Sequence, residues 1–110
     1  MNQDLDLKAK VKQILKVVQE LAPGRSVELR IPPYAAIQCL GGSTHRRGTP
    51  PNVVEMSAET LVKLLENPVK WQQYCDLGSI SASGTNSNLS NLFVQVSKLM
   101  ISEVGSENGK

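Results

Sequence analysis

With twelve basic and ten acidic residues in 110, the chain carries a formal charge of +2, too balanced for a typical nucleic-acid binder. Apolar residues are 40% and charged residues 20% of the total, which fits one globular domain over residues 1–110 rather than a disordered or membrane-embedded segment. Four aromatics (Tyr34, Trp71, Tyr74, Phe93) give no stacking platform for single strands, and no apolar run approaches the roughly 20 residues of a membrane span. Nucleic acid and stable membrane insertion are therefore not expected. Met1 is followed by Asn2, Gln3 and Asp4 rather than by a basic start and an apolar stretch, so a cytoplasmic location is expected.

Along the chain, Leu7, Val11, Ile14, Val18 and Leu21 recur at spacings of four, three, four and three. This predicts an amphipathic helix of about four turns, stopped by Pro23-Gly24. Lys8, Lys12 and Lys16 line its outer face, read as a solvated face in preference to a contact for an anionic surface. Val27 to Ile31 alternates as a half-buried strand with Val27, Leu29 and Ile31 inward, and Pro32-Pro33 ends it. Tyr34 to Leu40 predicts a second strand, and Gly41-Gly42-Ser43 supplies turn chemistry for a hairpin. The returning strand would start near His45, break at Gly48 to Pro51 and resume over Asn52 to Met56, as an edge or bulged strand.

From Ser57 the period changes to that of a helix. Ser57 is a good N-cap, Glu59 suits the first turn, and Leu61, Leu64 and Leu65 form the apolar stripe. Asn67-Pro68 closes this helix and opens a short one carrying Trp71, Tyr74 and Cys75 and ending at Gly78. Ser79 to Ser83 alternates as a last strand. Leu89, Leu92, Phe93, Val96, Leu99 and Met100 then trace a closing helix capped from Asn86 or Ser87, with a frayed tail after Val104. The order predicts an α+β fold, a mostly antiparallel sheet covered on one face by helices.

Chemistry is sparse. Cys39 and Cys75 are too few for a disulfide framework or, with one histidine, for a structural zinc site, and both are expected reduced and buried. Either could serve as a nucleophile paired with His45, but both lie in apolar stretches, where a thiol is usually inert packing, so a catalytic cysteine is not expected. His45, Arg46, Arg47, Thr49 and Asn52 gather in one loop. A proline-stiffened, solvated bulge is one reading of it, an anion clamp another, and general-base chemistry would need a carboxylate to orient His45. No G-x-S-x-G elbow and no phosphate-binding glycine loop is present. Neither a catalytic set nor a cofactor is expected.

The stretch from Val53 to Phe93 resembles the sterol carrier protein family. The resemblance lies in a strand, then Ser57-Ala58-Glu59-Thr60-Leu61-Val62-Lys63-Leu64-Leu65, a short helix ending at Gly78, the strand to Ser83, and Gly84 before a helix with Asn88-Leu89-Ser90-Asn91-Leu92. Upstream, Ile31 to Cys39 and Arg47-Gly48-Thr49-Pro50-Pro51-Asn52-Val53-Val54-Glu55 are similar to a small actinobacterial, stand-alone branch of that family. The resemblance implies a sheet of about five strands, with an apolar tunnel between sheet and helices. Carried over, its walls would include Ile37, Val54, Trp71, Ile80, Phe93 and Met100, with His45, Arg46, Arg47, Thr49 and Asn52 near a polar head.

It further implies a non-enzymatic carrier for a fatty-acyl or other lipid-like ligand. The alternative is a ligand-free interaction domain of the same fold, docking a partner protein or forming a homodimer. An empty void of roughly 300 Å³ would cost around 7 kcal/mol at about 24 cal/mol per Å³. A domain's whole stability is only about 5–15 kcal/mol, so any tunnel is occupied or closed.

Overall fold

The computed structural model describes residues 2–41 and 52–108, with side chains over 5–41 and 52–101. The elements run α1 (Asn2–Leu21), β1 (Val27–Ile31), β2 (Ala35–Cys39), β3 (Asn52–Met56), α2 (Ala58–Glu66), a 3-10 turn (Pro68–Lys70), α3 (Trp71–Asp76), β4 (Ile80–Ser83) and α4 (Ser90–Asn108). Among the described residues the sheet has four strands in the order β2-β1-β3-β4. β1 pairs antiparallel with β2, β3 antiparallel with β4, and β1 parallel with β3.

The expectation of about five mostly antiparallel strands is thus corrected to four in a mixed sheet. The resumed strand Asn52–Met56 does not pair back on β2 as a hairpin after Gly41-Gly42 would have it, because β3 lies beside β1; the start of the returning strand, near His45, lies outside the described residues. Parallel neighbours cannot be joined by a tight turn, and β2 with its flanking segments lies between β1 and β3 in the sequence. β3 is accordingly an inner strand, not an edge, and the prolines before it lie outside the described residues. A side chain fixes its register: Asn52 Nδ2 donates to the Ser26 carbonyl (2.8 Å), setting the start of β3 against Val27.

One face of the sheet is covered. On β1 and β3 the inward Val27, Leu29, Ile31, Val54 and Met56 are all 2% exposed or less. Against them pack Val11, Ile14, Leu15 and Val18 of α1, Leu61 and Leu64 of α2, and Phe93 and Val96 of α4. The other face is polar, with Arg30 between Glu28 (2.8 Å) and Glu55 (3.8 Å). The Glu28 carboxylate's hydrogen bond holds the Arg30 guanidinium above its usual pKa. Such exposed pairs add little stability and chiefly keep this face wet.

Local chemistry explains most element ends. Ser57 caps α2 as its spacing predicts, Oγ accepting from the Thr60 N–H at 3.1 Å. Pro68 opens the 3-10 turn, and Gly78, at φ +82°, follows α3. A clasp holds the other end of α1: the Leu40 N–H donates to Ala22 O (2.7 Å) while Leu40 O accepts from the Ser26 N–H (3.1 Å). Gly24 passes beneath at φ +150°, where a Cβ would lie 2.2 Å from the Leu40 oxygen. No larger residue fits there.

Three boundaries differ from the sequence reading. α1 begins at Asn2, a turn and more before Leu7, and α4 is assigned as far as Asn108. Neither Asn86 nor Ser87 caps α4. The Asn86 N–H donates to Asn52 Oδ1 and the Ser87 hydroxyl to Gly84 O, so both serve the preceding turn, and Asn88 Oδ1 instead accepts from the Ser90 N–H. Leu99 is solvent-facing, its place on the inner side of α4 taken by Ser97 at 5% exposure.

Candidate functional site

Of the six apolar residues expected to wall a tunnel, Val54, Trp71, Ile80 and Phe93 sit in the core at 4% exposure or less. Trp71 and Phe93 stack, ring centroids 6.2 Å apart at 23°, the offset geometry aromatic pairs favour. Ile37, on the edge strand β2, and Met100, on α4, are half-buried and pack on the rim of this core. The structure therefore gathers four of the six into one packed layer between sheet and helices and leaves two at its margin.

His45, Arg46, Arg47 and Thr49 lie outside the described residues. Asn52 is 2% exposed and both ends of its amide are engaged, Nδ2 with Ser26 O and Oδ1 with the Asn86 N–H (2.9 Å). An amide so committed ties β1, β3 and the loop before α4 together.

The thiols are poor nucleophiles. Burial pushes Cys39 up to about 11, and burial together with the Asp76 charge raises Cys75, so both are protonated near neutrality. Cys75 is half-buried rather than buried as expected. Among the described residues no three His, Cys, Asp or Glu side chains stand close enough to hold a metal ion. No helix of the described residues is long and apolar enough to cross a membrane.

What the structure does offer is an apolar groove of about 570 Å³ where three helices meet. α1 contributes Lys10 and Ile14, α2 contributes Val62, Leu65 and Glu66, and α4 contributes Ser97, Met100 and Ile101. Its volume lies in the range of small-molecule sites. Ser97 is neutralised as a polar group: its hydroxyl donates to Leu65 O (2.7 Å), one of the carbonyls left over at the end of α2. A second depression of about 580 Å³, lined by Asp6, Leu7, Glu59 and Lys63 and sharing Lys10, Val62 and Glu66, continues it between α1 and α2.

Of the described residues singled out from sequence as site candidates, only Met100 lines this groove. Of its other apolar walls, Ile14 and Leu65 belong to the stripes read from the sequence, while Val62 and Ile101 lie one step round the helix from them. Periodicity marks such residues as partly buried but not as neighbours of one another. Ile101, 62% exposed and next to Met100, was the available signal: an apolar residue off the stripe.

Residues 4–94 match the family model described as bacterial SCP ortholog, a span running from α1 into α4. No curated protein matches the chain significantly. A match over that share of an α+β chain, with its helices on one face of the sheet, makes it a member of the bacterial sterol carrier protein-like family.

Proposed function

We propose that this chain, acting as one domain, is a cytoplasmic, non-enzymatic carrier for an apolar ligand of acyl type. Family membership supports a lipid-binding role, and the α1–α2–α4 groove is the observation that supports a site for it between the helices. The groove is already formed and lined by Ile14, Val62, Leu65, Met100 and Ile101, whereas the layer between sheet and helices is filled by Trp71, Phe93 and their neighbours. An apolar chain laid in the groove removes its own surface and that of these residues from water, at about 25 cal/mol per Å². An anionic head is assigned on chemistry alone to His45, Arg46, Arg47 and Thr49. Asn52 is withdrawn from that set, its amide being committed to the backbone.

The test is native mass spectrometry of the purified protein, organic extraction of what it carries, and titration with a fatty-acid panel. Binding should fall at least about tenfold in Val62→Glu, which puts a charge into the groove, while the melting curve stays cooperative. A protein that carries nothing and binds no member of the panel would end the carrier reading. The ligand-free interaction domain is then favoured by one observation, the 62% exposure of Ile101 beside an apolar concavity.

A further inference from the structure

The groove is open along one side, and its walls carry charge in a definite order. Passing from the outer depression into the main groove, α1 presents Asp6 and then Lys10, while α2 presents Lys63 and then Glu66, with Glu59 one turn outside Lys63. At these four positions the signs are minus, plus on one wall and plus, minus on the other. None of these four side chains forms an ion pair within 4.0 Å among the described residues. Between the charged rims lie apolar side chains, with Leu5 (66% exposed) and Ile101 (62%) standing out to solvent at α1 and α4.

A two-fold axis lying along the groove turns the α1 wall of one copy onto the α2 wall of the other. Asp6 then meets the partner's Lys63, and Lys10 meets the partner's Glu66, each contact occurring twice. Opposite charges face each other at both of these positions, while Ile101 of each copy has an apolar concavity of the other to enter. Self-complementarity of this kind is what a closed, isologous dimer needs, and matched rim charges set orientation and partner choice more than raw affinity.

We infer that a second copy of this chain closes the groove, so that two grooves face one another and form a single enclosed apolar cavity. One open trough leaves an acyl chain half in water, and two opposed troughs cover it on all sides. The contact itself stands on the wall charges and the exposed apolar residues. Only what the enclosed space holds rests on the carrier reading.

The charge order gives a test that mere stickiness does not pass. Sedimentation equilibrium should show wild type as a dimer at micromolar concentration. Lys10→Glu and Glu66→Lys each set like charges against one another twice and should each weaken the dimer about tenfold. Mixed together, the two variants should form a heterodimer of near wild-type affinity, since each mismatch is then opposed by its complement, and the double variant should recover the homodimer. Ile101→Arg, at an exposed site, should give a folded monomer by circular dichroism and sedimentation. A monomeric wild type, or single variants that dimerise like wild type, would overturn the inference. Fatty-acid binding by a strictly monomeric protein would overturn it while leaving the carrier reading intact, and a dimer that binds no fatty acid would do the reverse.

Discussion

Asn52 is the residue at which a ligand-contacting role and a structural role predict opposite results. Its amide donates to the buried Ser26 carbonyl and accepts from the half-buried Asn86 N–H. Asn52→Ala strips both groups of these partners. A backbone group left unpaired costs about 1–3 kcal/mol, nearer the upper end when buried and the lower end when water can reach it. Taking about 2 kcal/mol for Ser26 and about 1 for Asn86, the substitution should destabilise by about 3 kcal/mol. For a domain of this size that lowers the melting temperature by roughly 10–20 °C. Asn52→Asp sharpens the test. One oxygen still accepts from Asn86, but the other faces the Ser26 oxygen and can bond to it only when protonated. The fold therefore holds that carboxyl's pKa above the usual range. Stability of this variant should be greatest below about pH 4 and be lost as pH rises through the raised value, a dependence wild type lacks at this site. The single tryptophan, Trp71, at 4% exposure in the core, reports unfolding by its fluorescence. Urea titrations of the three proteins at pH 4 and pH 7 decide the matter. Asn52→Ala within about 0.5 kcal/mol of wild type, or Asn52→Asp equally stable relative to wild type at both pH values, would refute the structural role.

Three further outcomes follow from the same geometry. Gly24→Ala places a Cβ against the Leu40 oxygen at a positive φ and should cost about 3 kcal/mol or more, read as a shifted urea midpoint. Ser57→Ala removes the acceptor for the Thr60 N–H and should cost about 1 kcal/mol by the same measurement, with no change in oligomeric state. The fold raises the Cys39 thiol from 9.0 to about 11, so the stability this gives is fully present below pH 9 and is lost as pH climbs to about 11. Cys39→Ala should flatten that part of the alkaline limb in melts followed at Trp71.

How far the sequence could be read depended on the range of the cause. Alternation in Val27–Ile31 and Asn52–Met56 gave both strands to the residue, and Ser57 and Pro68 marked helix starts, because each is settled within a few neighbours. Strand order was not settled there. The parallel pairing of β1 and β3 is held by a bond from Asn52 to Ser26, 26 positions away, and nothing local to either residue announces it. The same holds for Asn86 and Ser87, sound caps by type that stand ahead of the start of α4 at Ser90, the Asn86 N–H tied to Asn52 and the Ser87 hydroxyl to Gly84. Trp71, Phe93, Val54 and Ile80 were legible as buried, but burial alone does not tell a packed layer from a tunnel wall. The groove lay beyond reach for a related reason. It is made where three amphipathic helices meet, and its existence depends on their crossing rather than on any one stripe.

The clasp at Leu40 secures only the far end of α1. Ala22 is bonded to the strand layer through Leu40, whereas the groove takes its α1 wall from Lys10 and Ile14, two to three turns away. A helix pinned at one end behaves as a lever. Tilting it about Ala22 widens the gap to α2 and α4 at the expense of side-chain contacts along its length, yet breaks no hydrogen bond of the sheet. Amide exchange should record the gradient, slowest near Val18 and progressively faster toward Leu5.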